Sequence, residues 1–405
     1  LDEAPQWTNR IAVLAGGMST LDTAPYWASL SVWLEPEDAA LTHNAVRALF
    51  HPLRPYGGVA SIPLSAGAHA RLASAVSQAG VENARVERAG EWTLLKREGA
   101  LPGSANWTHQ YGDAANTVVS KDDRVRLPLG LLWFGGSSNV DILPRHGHGP
   151  PEQVVDGRLF IQGPDSLRAM DVYTGRVLWR VSLPGVGLPY DNTSHQPGAN
   201  ALGTNFVATP DCVYVVYEEK CLLFDPATGE QTDAFSLPAP EGASEPPDFG
   251  YLGVWDDLLV AGSGPMVFDE EVKGFTHNAI ASKRLVAMDR RTGEPLWSVQ
   301  AEVAFRHNAV TLAAGKVFCL DRATEALLER MQRRGITPPT NGRVIARTAL
   351  GDATTLAEAI AQRDDRTLFV RWGPWFAWLC ALALAVALGR TGLSAMRRRG
   401  HRRPV

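Results

Sequence analysis

Leu167-Arg168-Ala169-Met170-Asp171-Val172-Tyr173-Thr174-Gly175, followed by Trp179, is a short apolar run closed by an acid, a threonine and a glycine. The chain repeats it. Cys221-Leu222-Leu223-Phe224-Asp225 leads through Thr228 to Gly229, with Asp233 where the tryptophan stood. Leu285-Val286-Ala287-Met288-Asp289 leads through Thr292 to Gly293 and then Trp297. An aspartate that caps backbone N–H groups, ahead of a glycine free to take positive φ, makes a tight turn. The strands on either side then pair as a hairpin.

Working outward, each copy supplies several more short strands. Pro151 to Val155 reads as an inner strand turned at Asp156-Gly157, with Arg158–Gln162, Leu167–Met170 and Val177–Val181 following. A second copy holds Asn205–Thr209, Val213–Tyr217 and Leu222–Phe224. A third holds Asp257–Ala261 and Leu285–Met288, separated by an insertion (262–282) that reads as a face loop. A fourth begins at Ala314 and resumes at Gly342–Ala346 after a helical-looking insertion (323–334). Repeats of this length with several strands each predict a mainly β chain, a partial β-propeller of four-stranded blades. The repeated turn acids and tryptophans read as scaffold, and a scaffold does not fix a function.

The turns, together with Trp107-Thr108-His109-Gln110-Tyr111-Gly112-Asp113 and Leu132-Trp133, resemble the pyrroloquinoline-quinone repeat of quinoprotein alcohol dehydrogenase-like propellers. The resemblance implies an oxidoreductase using pyrroloquinoline quinone with Ca²⁺ as one reading. No adjacent Cys-Cys pair stands in the chain, and no specific residues support that cofactor.

Residues 1–99 read differently. Leu30–Leu34 reads as a strand, Pro36–Phe50 as a helix, Gly58–Ile62 as a strand and Ala66–Ala79 as a helix stopped by Gly80. Ala84–Arg88 and Trp92–Lys96 close with a hairpin. Leu53-Arg54-Pro55-Tyr56-Gly57-Gly58-Val59 and the hairpin resemble the C-terminal half of a class I S-adenosylmethionine-dependent methyltransferase-like domain, a partial Rossmann-like unit. The glycine-rich nucleotide loop of such folds is missing, which reads as a fragment of a larger multidomain protein.

The domains expected are therefore the α/β unit at 1–99, propeller blades at 100–346, a linker at 347–371, a transmembrane helix at 372–390 and a basic tail at 391–405. Trp372 to Gly389 carries no charge, and Arg390, Arg397, Arg398, Arg399, Arg402 and Arg403 follow it. That pattern predicts a membrane anchor with the propeller outside the cytoplasm. The alternative is a shifted reading frame, since Arg347-Thr348-Ala349-Leu350-Gly351 stands where another Asp-x-x-Thr-Gly turn is due. The net charge is −4 and lies lower still without the tail, which argues against a nucleic-acid partner. Cys212, Cys221, Cys319 and Cys380 show no metal spacing.

Chemistry is expected where inner strands begin. Arg145, His146 and His148 precede the first; Asp191, Asn192, His195 and Asn200 precede the second; Arg306, His307 and Asn308 precede the fourth. Converging imidazoles make a ligand site at the channel mouth. The competing reading has these side chains hydrogen-bonding backbone at the blade ends. His43, His51, His69 and His109 read as isolated surface or turn residues. The functional expectation is a binding or scaffold propeller whose polar mouth meets a small polar ligand or protein partner, with catalytic residues unassigned. The alternatives are the quinone oxidoreductase and, in a full-length parent, methyl transfer.

Overall fold

The computed structural model describes residues 23–37, 40–143, 149–190, 199–265, 280–322, 328–329, 332–335, 343–348 and 356–359. The N-terminal sheet holds β1 (Leu30–Val32), β2 (Gly58–Pro63), β3 (Ala84–Ala89) and β4 (Trp92–Arg97) in the order β1-β2-β4-β3. β1 runs parallel to β2 with Leu30 opposite Val59, and the other pairs are antiparallel. Helices α1 (His43–Phe50) and α2 (Ala66–Ala79) close one core with the sheet: Val46, Leu49 and Phe50 meet Leu72, Ala60, Ile62 and Leu95. α1 starts later than the Pro36 expected from sequence. Thr42 is extended there and its Oγ1 accepts from the Ala45 N–H at 3.3 Å, which caps the helix.

Blade one is β5 (Gln153–Val155), β6 (Arg158–Gln162), β7 (Ser166–Asp171) and β8 (Val177–Ser182), an antiparallel meander. The short helix α3 (Ala199–Leu202) leads into blade two: β9 (Phe206–Ala208), β10 (Val213–Tyr217), β11 (Lys220–Phe224) and β12 (Gln231–Phe235). Blade three is β13 (Phe249–Trp255), β14 (Leu258–Pro265), β15 (Ala281–Asp289) and β16 (Pro295–Arg306). The fourth group is β17 (Thr311–Ala313), β18 (Lys316–Asp321), β19 (Arg343–Thr348) and β20 (Leu356–Ala359). It joins blade three through the pairing of Phe305 with Asp321.

The three turns are built alike. Asp171 Oδ1 accepts from the N–H groups of Tyr173 and Thr174, both at 3.0 Å. Asp225 does so from Ala227 and Thr228, and Asp289 from Arg291 and Thr292. Gly175, Gly229 and Gly293 all take positive φ. Each glycine is also a seat for an aromatic ring from the preceding strand system. A Cβ on Gly229 would lie 2.6 Å from Trp179, and one on Gly293 would lie 2.6 Å from Phe235. Blade two therefore fills the gap left by Asp233 with Phe235, two residues on and on the same face of β12.

Two sequence expectations change. β13 went unrecognised because Gly250 and Gly253 interrupt its apolar pattern. The insertion read as a loop is partly strand, since β14 and β15 stay paired out to Pro265 and Ser282; residues 266–279 lie outside the described residues. The expected transmembrane stretch, 372–390, also lies outside them, and no helix among the described residues is long and apolar enough to cross a membrane.

Candidate functional site at the start of the inner strands

One segment crosses this end of the blades. Trp107 exchanges both backbone hydrogen bonds with Val154 of β5, at 2.7 and 2.9 Å. Gln110 Nε2 donates to the Ala199 carbonyl of α3 at 2.5 Å. The Val254 N–H of β13 donates to His109 Nε2 at 3.1 Å. The Leu312 N–H of β17 donates to the Ala114 carbonyl at 2.8 Å. Residues 107–116 thus reach the inner strand, or its approach, in all four blades. Gln153 adds a clamp between blades one and two: it is fully buried, donates to Phe206 O at 2.8 Å and accepts from Ala208 N–H at 2.7 Å.

His109 is therefore no surface residue, as its isolation in sequence suggested. It is buried, with Nδ1 2.8 Å from Thr108 Oγ1. Because Val254 donates to Nε2, the proton sits on Nδ1. Burial lowers its pKa to about 4, against the opposing charge of Asp113. His307 is its counterpart. Nδ1 donates to the Leu202 carbonyl at 2.8 Å, so Nε2 accepts from Ser282 Oγ at 2.7 Å. Burial brings this pKa to about 4 as well, with the Leu202 hydrogen bond opposing and the Arg306 charge assisting. β13 passes close enough to enclose the pair only because Gly250 has no side chain: a Cβ there would lie 2.4 Å from Ser282 Oγ and 2.8 Å from His307 Nε2.

Two cavities lie on this end. The smaller, about 20 Å³, is bordered by His109, Thr204, Tyr251, His307 and Asn308. That is room for about one water. The larger, about 700 Å³, lies between the approach to β5 and α3. Its walls are Ile142, Leu143, Pro150, Pro151 and Ile161, with Glu152, Gln162 and Asn200 among the polar ones. Gln110 and Tyr111 border both. Gln162 is 4% exposed; its Nε2 donates to Val186 O at 3.2 Å, and its Oε1 has no hydrogen-bond partner.

Of the residues expected at the mouth, His307 and Asn308 come together at the small cavity, next to Arg306 at the end of β16. Asn200 is exposed on the rim of the large one. Arg145, His146, His148, Asp191, Asn192 and His195 lie outside the described residues. Sequence reasoning missed Gln162, Glu152 and Gln110, because a glutamine or glutamate in a turn or beside a strand end reads as ordinary solvated polarity.

Among the described residues no group of three His, Cys, Asp or Glu side chains is placed to hold a metal ion. Cys212, Cys221 and Cys319 are buried free thiols. The described walls of the large cavity carry one carboxylate and no indole. That does not fit a quinone seated on Ca²⁺, which takes six to eight oxygen ligands.

Residues 143–329 match a PQQ-repeat family described as outer membrane protein assembly factor BamB. Solved structures similar to the chain include BamB from Moraxella catarrhalis, at 14% identity and TM-score 0.29, covering 54% of this chain and 52% of that one. A europium-containing methanol dehydrogenase is 14% identical with TM-score 0.38, over 60% and 47%. Quinohemoprotein alcohol dehydrogenase from Comamonas testosteroni is 15% identical with TM-score 0.39, over 60% and 40%. The chain spans about half or less of these structures' own length. No curated protein matches it. The four-stranded meanders agree with the PQQ-repeat family match over residues 143–329.

Proposed function

We propose that the chain is the ligand-binding arc of a PQQ-repeat propeller, part of a larger exported protein, and that it binds a small polar ligand in the large cavity at the start of the inner strands. The observation that carries this is Gln162. A buried amide oxygen without a partner costs stability unless something else donates to it. Glu152, in the same walls, adds a second acceptor without an ion pair among the described residues. Two acceptors within an apolar frame select a ligand that brings N–H or O–H donors. Pre-formed concave sites of roughly this volume, with a few convergent polar groups, are the usual form of small-molecule pockets.

The test is a thermal-shift screen of small primary amines, amides and polyols, followed by calorimetry on the hits. Binding should be lost in Gln162→Leu and weakened in Glu152→Gln. Hits that bind both variants as well as the parent would place the site elsewhere.

A second reading concerns the N-terminal sheet. The antiparallel strand β4 inserted between β2 and β3 supports its assignment as the end of a methyltransferase-like α/β domain of the larger protein. This chain is expected to show no tight binding of S-adenosylmethionine by calorimetry, and micromolar binding would contradict that.

A further inference from the structure

A third cavity, of about 250 Å³, belongs to the N-terminal unit and is bordered by Tyr26, Phe50, Asn83, Arg97, Leu101 and Arg124 among others. It lies at the end of β4, where Arg97 stands opposite Gly58, the first residue of β2. Nucleotides bind α/β sheets outside the carboxyl ends of the parallel strands. β2 ends at Pro63, so this cavity is at the other edge of the sheet from a nucleotide position. Its wall is stitched to the chain beyond β4. Asn83, at φ 60°, donates through Nδ2 to Ala100 O at 2.6 Å, and its carbonyl accepts from the Glu98 N–H at 2.8 Å.

Two guanidinium groups meet at Tyr26. The Arg97 Cζ lies 4.9 Å from the centre of the Tyr26 ring and 4.1 Å from that of the buried Phe50, so aromatic faces hold this cation on both counts. Its Nη1 donates to Leu53 O at 2.8 Å. Arg124 donates through Nη2 to the Tyr26 hydroxyl at 3.3 Å and through Nη1 to Pro102 O at 3.2 Å. Asp122 Oδ1 accepts from the Arg124 and Val125 N–H groups, at 2.8 and 3.1 Å, which fixes the turn carrying Arg124. Tyr173 of blade one backs Tyr26 edge-on, with ring centres 6.0 Å apart. The acceptors of both guanidinium groups are carbonyls or a phenol, and neither has a carboxylate partner among the described residues. Glu82 borders the cavity and is exposed. Burial lowers the Arg97 pKa, the tyrosine hydroxyls oppose it, and the Arg124 charge assists. Like charges held this way repel, and an anion between them turns the repulsion into attraction.

The kind of anion follows from the donors. A monocarboxylate balances one guanidinium. A phosphomonoester carries about −1.5 to −2 at pH 7 and three strong acceptor oxygens, which matches two cations. The Tyr26 oxygen accepts from Arg124 and keeps its own proton to donate. Leu101 and Pro102 add apolar wall for a carbon body. The volume falls just below that of drug-sized sites, which calls for a compact guest. We propose that this cavity binds a small phosphomonoester, with Arg97, Arg124 and the Tyr26 hydroxyl on the phosphoryl oxygens and the carbon body against Leu101 and Pro102.

Calorimetry on the full chain, in buffer free of phosphate and sulfate, tests this with phenyl phosphate, inorganic phosphate and phenol. At pH 8 phenyl phosphate should bind saturably, with inorganic phosphate at least ~10-fold weaker and phenol weaker still. Arg124→Gln changes an exposed side chain; it should keep the parent Tm and lose at least ~10-fold in affinity for the ester. Arg97→Lys keeps the charge and loses the fork, and should show a similar loss. Glu82→Gln should bind at least as tightly as the parent, and Gln162→Leu should bind equally, since the large cavity is separate. Affinity should fall from pH 7 to pH 5 as the phosphoryl group, with a second pKa of about 6, takes up a proton. No saturable binding of phenyl phosphate, or an Arg124→Gln chain that binds it as the parent does, overturns the proposal. Inorganic phosphate or phenol binding as tightly as the ester also overturns it, the first by assigning a free-phosphate site and the second an apolar one.

Discussion

The two cavities at the start of the inner strands share Gln110 and Tyr111 as walls and differ in almost everything else. Around the small one every ring nitrogen of His109 and His307 has a partner, and burial keeps both rings neutral. Around the large one Gln162 keeps a buried oxygen unpartnered beside the Glu152 carboxylate. The residue type most suggestive of chemistry, histidine, holds the blades together here. The less conspicuous glutamine is the one left with an unpartnered acceptor.

The largest effect that follows is on stability against pH. Both imidazoles go from about 4 in the folded chain to about 6.5 when unfolded. Below 6.5 the unfolded state binds more protons, so stability rises with pH through this window. The contribution of the two rings is full above about 6.5 and lost as pH falls towards 4. Together they should cost the fold on the order of 5 kcal/mol across the window, seen as a falling urea midpoint. A flat profile between 6.5 and 4 would mean that the rings are solvated.

Next comes His307→Leu. It strips partners from the buried Ser282 hydroxyl and Leu202 carbonyl, for about 2–4 kcal/mol and a lower Tm. It should also flatten half of the pH dependence. A variant that keeps the parent Tm but loses a ligand would reverse the roles of the two cavities.

Much of the scaffold was legible in the sequence, because its signals are local. An aspartate, a threonine and a glycine at fixed offsets specify a turn whatever surrounds them, and all three turns superpose in their hydrogen bonds. What depends on distant contacts was not legible. Phe235 does the work expected of residue 233 from two positions further along β12, since residues two apart on a strand share a face. Gly250 belongs to a strand because its missing side chain makes room for His307, a neighbour far along the chain. Asp171 looks like its two counterparts in sequence, yet it alone receives Arg54 of the N-terminal unit, at 3.1 Å, and is buried by it. Of the mouth residues proposed from spacing, His307 is a buried imidazole with both ring nitrogens partnered, and nothing in the spacing distinguishes a buried imidazole from a free one.

A smaller effect compares Trp133, which lies on Gly175, with Trp179 on Gly229. Gly175→Ala and Gly229→Ala each combine positive φ with an indole within 2.6 Å of the new Cβ. Each should cost about 1–3 kcal/mol by chemical denaturation. A tolerated Gly175→Ala beside a damaging Gly229→Ala would show that Trp133 is not docked as Trp179 is.

The smallest expected effect is that of Glu152→Gln on stability, within about 0.5 kcal/mol, since its carboxylate has no ion pair among the described residues. It is the effect on binding that matters. The most direct measurement is therefore calorimetric titration of the amines and polyols found by screening into the parent chain, Gln162→Leu and Glu152→Gln. The account predicts saturable binding to the parent that Gln162→Leu reduces at least ~10-fold, about the value of one hydrogen bond to a desolvated polar group. A parent chain that binds none of them, or a Gln162→Leu variant that binds as the parent does, would contradict it.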